Sequence, residues 1–121
     1  MTFLVTPEMS IKIGEKDYTL SGSMECLKKL QHHFKKDILE VLSDMPKMRF
    51  DEQAKIIEIA IDDFGTKPPA IETIETWIVD EVGIAPIRNV IQGWLLVITS
   101  PKKEREVQQK IVGEFLKTQG L

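Results

Sequence analysis

The sequence predicts a mostly helical α+β fold, in which an N-terminal β-hairpin packs on a bundle of four to five short helices. Apolar residues alternate around a glycine near the N-terminus. Most of the remaining chain repeats apolar residues at a spacing of three or four. Because its 121 residues suit one domain, we expect a single domain over 1–121, with the hairpin over about 9–20 and the helical body over about 23–118.

The predicted hairpin centres on Gly14. Apolar and polar residues alternate over residues 9–13, as in a strand with one buried face. Residues 14–17 are predicted as the turn, because glycine adopts positive φ without steric cost. Residues 18–20 form the return strand, and residues 3–6 are a candidate third strand.

The first predicted helix begins after a serine cap, either Ser21 or Ser23, whose hydroxyl accepts a free amide of the first turn. Its apolar face runs without interruption as far as Val41, and Pro46 ends the helix. The apolar positions are Leu27, Leu30, Phe34, Ile38 and Val41, joined by Met24 and Leu42.

Two further helices are predicted in the middle of the chain. The first opens at Asp51, whose negative charge complements the helix dipole, and closes at Gly65. The second covers about residues 70–82 and ends at Gly83.

A fourth helix is predicted from six apolar positions on one helical face, although a buried strand over residues 93–99 stays open as an alternative. Those positions are Ile87, Val90, Ile91, Trp94, Leu95 and Ile98. Ser100 followed by Pro101 is a common helix opening, so a terminal amphipathic helix is also predicted. Its apolar face consists of Val107, Ile111 and Phe115.

Three features of the sequence bear on where in the cell the protein is expected to be. Cys26 is the only cysteine, so no intramolecular disulfide forms, and we expect a buried thiol. The N-terminal sequence lacks the pattern of a secretory signal. The longest apolar run, residues 94–98, is far shorter than the roughly 20 residues of a membrane span. We therefore expect a soluble, cytoplasmic protein with no membrane partner.

Charge is distributed unevenly along the chain. Residues 1–50 hold 8 basic and 7 acidic residues, residues 51–81 hold 2 and 9, and residues 82–121 hold 6 and 3. The acidic segment disfavours nucleic-acid binding, which needs a basic surface. Opposite charges on one small molecule favour head-to-tail self-association or a charged partner.

No catalytic, metal or cofactor site is predicted. Adjacent helical residues point about 100° apart, so His32 and His33 cannot jointly hold one ion, and we expect them to be solvated. The carboxylate pairs Glu58–Asp62 and Glu72–Glu75 are interpreted as surface acids, since a retained cation needs more converging oxygens. Known nucleotide-binding and hydrolase motifs do not occur, which favours a protein that is not an enzyme.

Three apolar residues are the candidate protein-interface residues: Trp77, Ile78 and Trp94. The more common position for both tryptophans is the core, but tryptophans at the edge of an amphipathic face are also typical interface anchors. The helices also carry more apolar surface than one small core readily covers, so we expect oligomerisation.

Residues 9–34 resemble the start of the tail assembly chaperones of long, flexible-tailed bacteriophages and their prophage relatives. In that family a short hairpin leads directly into a helix with an M-x-x-L-x-x-L pattern. The matching positions are Ile11, Ile13, Gly14, Lys16, Tyr18, Leu20, Met24, Leu27 and Leu30.

The resemblance implies a non-enzymatic protein of the bacterial host cytoplasm that multimerises. Its partners would be further copies of itself and the tape measure protein, which it coats until the tail tube protein replaces it. Two alternatives stay open. One is a tail terminator or head–tail connector retained in the virion, and the other is a small DNA-binding regulator. The regulator would use Lys28, Lys29, Lys35 and Lys36.

Overall fold

A computed structural model describes residues 8–100 of the chain. Over this range two strands are followed by five α-helices, which confirms the predicted α+β, mostly helical fold. The candidate strand over residues 3–6 and the terminal helix beyond Ser100 lie outside the described residues.

The hairpin consists of β1 (Met9–Ile13) and β2 (Lys16–Leu20), which pair antiparallel. Only Gly14 and Glu15 lie between the strands, so the turn is shorter than the predicted residues 14–17. Gly14 has a φ of +67°, and a two-residue turn that places glycine first matches the backbone twist of the strands. The buried side chains are Met9, Ile11, Ile13, Tyr18 and Leu20.

Helix α1 (Met24–Phe34) begins at Ser23, whose hydroxyl accepts a hydrogen bond from the Cys26 amide. The helix ends at Lys35, which adopts a left-handed φ of +56°. The prediction of one continuous helix as far as Val41 is therefore wrong.

A separate helix, α2 (Ile38–Asp44), follows the break. The Asp37 carboxylate caps it by accepting a hydrogen bond from the Leu39 amide, and the Gln31 side chain accepts one from the Ile38 amide. The first amides of a helix have no carbonyl partner within that helix, so these two side-chain acceptors stabilise the break between α1 and α2.

Helix α3 (Phe50–Phe64) is central to the packing, since it contacts the hairpin, α1, α4 and α5. A 3₁₀ turn (Met45–Lys47) that contains Pro46 precedes it, and Gly65 ends it as predicted. The buried residues of α3 are Gln53, Ala54, Ile56, Ile57, Ala60 and Ile61.

The predicted helix over residues 70–82 has two parts. Helix α4 (Ile71–Thr76) continues directly into a π-helical segment (Trp77–Val82). The Gly83 amide donates to the Ile78 carbonyl at 2.7 Å and closes the wider turn.

Helix α5 (Ile84–Thr99) settles the alternative over residues 93–99 in favour of helix. All six predicted core positions of this helix are buried, because one face of the cylinder packs against α2, α3 and the π-helical segment.

None of the helices within residues 8–100 is by itself long and apolar enough to cross a bilayer. Ile71–Val82 and Ile84–Thr99 are long and apolar enough only when taken together, and they are bent by 110° relative to each other.

The neighbouring leucines of α5 give a test of its helical packing. Leu95 is fully buried, whereas Leu96 is 42% exposed. We expect Leu95→Ala to lower the free energy of unfolding by about 2–5 kcal/mol, because it leaves a cavity. Leu96→Ala should change it by no more than about 0.5 kcal/mol. Urea denaturation of both variants measures the difference, and equal losses would contradict the packing of α5.

Candidate functional site

An open groove of about 620 Å³ lies between α1 and α3, and we call it the α1–α3 groove. Helix α1 supplies one wall and helix α3 the other, while Pro68 contributes from the segment after α3. The lining residues on α1 are Lys28, Lys29, His32 and His33. Those on α3 are Lys55, Glu58, Ile59 and Asp62.

The two walls of the groove differ in charge. The α1 wall presents lysine and histidine, whereas the α3 wall presents the carboxylates of Glu58 and Asp62 around the half-buried Ile59. Lys55 donates to Glu58 at 2.6 Å, so these two charges offset each other and Asp62 supplies the net negative charge of the α3 wall. The groove therefore has an apolar patch between a basic side and a mainly acidic side, which suits an amphipathic partner.

Asp63 fixes the two walls relative to each other. Its carboxylate is only 8% exposed and forms an ion pair with Lys29 at 2.8 Å. It also accepts hydrogen bonds from the hydroxyls of Ser21 at 2.7 Å and Ser23 at 2.5 Å. One carboxylate thus joins the end of the hairpin, the cap of α1 and the last turn of α3, and we call this set of contacts the junction.

The electrostatics of Asp63 favour the charged form. Burial by itself raises the pKa of this carboxyl, but the hydrogen bonds from Lys29, Ser23 and Ser21 together outweigh burial and hold the pKa below its ordinary value. The same contact raises the pKa of the Lys29 ammonium. Both groups therefore stay charged at neutral pH.

Asp63 was not among the residues predicted from the sequence to form a site. Its position was detectable, because Asp63 lies seven residues after Ile56 and three after Ala60, on the buried side of α3. The backbone strengthens the junction, since the Ser21 amide donates to the Ala60 carbonyl at 3.1 Å. Of the two predicted caps, Ser23 caps α1 and Ser21 instead binds Asp63.

His32 and His33 are both exposed, as the sequence predicts. Both line the α1–α3 groove, and the His33 ring contacts Phe34 edge to face, with centroids 4.8 Å apart. Within residues 8–100 no group of three or more histidine, cysteine or acidic side chains is placed to hold a metal ion.

Cys26 lies in the core, as predicted, with no exposed surface. Burial raises the pKa of its thiol to about 12, and the Asp63 carboxylate adds to the shift. The thiol is therefore protonated at neutral pH and is a packing group.

The predicted acidic pair Glu72–Glu75 lies on α4. Glu72 is exposed and lines a smaller hollow of about 310 Å³ beside the hairpin turn, whereas Glu75 is half-buried. Gly14 and Glu81 also line this hollow.

The three candidate interface residues lie in the core of the chain. Trp77 and Trp94 are 4% and 2% exposed, and Ile78 has no exposed surface. A partner cannot reach these side chains in this conformation, so their core position is the alternative that the packing favours. The exposed large apolar side chains in the described part of the chain are Met24, Leu39, Phe50, Phe64, Val79, Ile84 and Leu96.

Comparison of the chain with family models, curated proteins and solved structures gives no match.

Substitution of two neighbouring acidic residues on α3 tests whether the junction stabilises the fold. Asp63→Asn removes the charge that Lys29 and the two serines satisfy, so we expect a loss of about 1–3 kcal/mol in the free energy of unfolding. Asp62 is exposed and adjacent, so Asp62→Asn is the matched control, with an expected change within about 0.5 kcal/mol. Chemical denaturation at neutral pH compares them, and equal stabilities would rule out the junction.

The junction also predicts a pH dependence. The pKa of Asp63 is lower in the folded chain than in the unfolded chain, so its contribution is complete above the unfolded value of about 4. That contribution is lost as the pH falls through the folded value. Denaturation from neutral to acid pH should show the stability gap between wild type and Asp63→Asn shrinking below about pH 4. A gap that stays constant into strong acid would contradict this assignment.

Proposed function

We propose that this chain is a non-enzymatic binding protein that multimerises and coats a long helical partner. In the terms of the resemblance, it acts as a tail assembly chaperone on the tape measure protein, in the host cytoplasm and before tail tube polymerisation.

The observation that carries this proposal is the arrangement of the N-terminal third. The hairpin ends at Leu20, and α1 begins four residues later at Met24, so the hairpin leads directly into a helix, as it does in the chaperone family. In the M-x-x-L-x-x-L pattern Leu30 is fully buried, and Leu27 packs partly against the core. The pattern therefore has a structural role in this chain.

The surface supports a role in binding helices. Met24 begins the pattern and is 70% exposed, and flexible methionine side chains are common on surfaces that bind varied apolar partners. The α1–α3 groove adds an apolar patch between charged walls. Amphipathic helices are bound in grooves of this kind.

The ion pairs weigh against the DNA-binding alternative. Two of its four lysines are held in short contacts with carboxylates of the same chain. Lys29 binds Asp63 at 2.8 Å and Lys36 binds Asp44 at 2.6 Å. Phosphate binding would compete with these two contacts, so of the four lysines only Lys28 and Lys35 are left to bind DNA phosphates.

An inventory of virions tests the proposal. Particles released after induction of the encoding genome are purified, and their proteins are quantified by mass spectrometry alongside the induced cell lysate. We expect the chain in the lysate and not in the particles, because a chaperone leaves when the tube forms. The tail tube protein is the positive control in the same particles.

Stoichiometric presence in the particles would contradict the chaperone proposal and favour the tail terminator or connector. Salt-dependent retention on DNA at physiological ionic strength would favour the regulator.

A further inference from the structure

We propose that copies of this chain associate head to tail, with the acidic face of one copy docked on the lysine face of the next. The acidic face consists of Glu72, Glu75, Asp80 and Glu81. The lysine face consists of Lys28, Lys29, Lys35 and Lys36. The inference deepens the self-association contained in the proposed function by naming its two surfaces.

The acidic face carries negative charge that no basic residue of the same segment balances. Residues 71–82 contain four acidic residues and no basic residue, and none of the four carboxylates forms an ion pair within residues 8–100. Neighbouring like charges on a helix repel one another. A cationic surface placed against this face would therefore relieve the repulsion.

Part of the positive charge on the lysine face is available to a partner. Lys35 forms no ion pair within the described range, and the contact of Lys28 with Glu25 is long, at 3.5 Å. Both partners of that contact are more than 60% exposed, and such surface pairs contribute little to stability. Lys28 and Lys35 can therefore turn to a partner without loss to the fold, whereas Lys29 stays with Asp63.

Each face presents charge at two places along the chain. Lys28 lies within α1 and Lys35 immediately after its end, whereas Glu72 lies in α4 and Asp80 in the π-helical segment. A contact between the two faces therefore offers two charge pairs.

An apolar contact is available between the charges. Val79 is 46% exposed within the acidic face. The lysine face borders the α1–α3 groove, in which Ile59 and Pro68 provide apolar surface. Packing Val79 against Pro68 gives an apolar centre with a charged rim, which is the usual anatomy of a protein interface, and leaves the groove around Ile59 to the helical partner.

The contact joins different copies of the chain. No ion pair connects the two faces within residues 8–100, although their charges attract. Because the two faces are unlike, each contact leaves one face unused at either end, which builds rings or open chains.

Sedimentation velocity over a concentration series tests the contact. At low ionic strength, where surface charges are least screened, the average mass of the wild type should rise with concentration. At high salt it should fall towards the monomer.

Charge reversal identifies the surfaces. The variants Glu72→Lys/Asp80→Lys and Lys28→Glu/Lys35→Glu each abolish the net charge of one face and place like charges at the proposed contact positions, so each alone should associate about tenfold or more weakly. An equimolar mixture should regain association, because every reversed face then meets a complementary one. Circular dichroism checks that both variants fold.

The control is Glu8→Lys/Glu40→Lys, which makes the same charge change at exposed residues outside both faces. It should associate as the wild type does. A wild type that stays monomeric at low salt would overturn the inference. The inference would also fail if both charge-reversal variants associated as strongly as the wild type, or if their mixture did not associate. These results are distinct from failure of the proposed function, which the virion inventory decides separately.

Discussion

The structure depends on one nearly buried carboxylate. Asp63 brings a charge into the interior, where ionisation is costly unless the charge is paired and hydrogen-bonded. Two serine hydroxyls and the Lys29 ammonium provide those partners. Because the donors come from different segments, satisfying this one charge fixes the hairpin, α1 and α3 in a single arrangement. A two-stranded hairpin is marginal by itself, and this junction together with its apolar face attaches it to the helices.

The junction also organises the surface that we propose for binding. Lys29 pairs with Asp63 from the α1 wall of the groove, so the walls cannot separate without breaking that contact. The available lysines are Lys28 within α1 and Lys35 just beyond its end, and the unpaired acids of the acidic face lie on α4 and the π-helical segment. Internal pairing thus decides which charges stabilise the fold and which can meet another molecule.

Sequence reasoning was reliable where local chemistry acts alone. Gly14, the Ser23 cap, Gly65 and the periodic face of α5 each specify local structure without help from distant residues. It failed where the same apolar spacing fits both one continuous helix and two helices separated by a break. Phe34 and Ile38 keep helical spacing across a break, so periodicity could not reveal it, although Asp37 was a usable cap signal.

Longer-range features were also beyond the sequence. The π-helical turn after Thr76 depends on how α5 packs back on the chain, which periodicity does not encode. The role of Asp63 could not be predicted, because an acidic residue on the apolar face of a helix does not indicate which distant donors will contact it. Native-state hydrogen exchange tests most directly whether the junction makes one cooperative unit. Amides of β2, α1 and α3 should then open with one common free energy, whereas a hairpin that opens independently while α3 stays protected would contradict it.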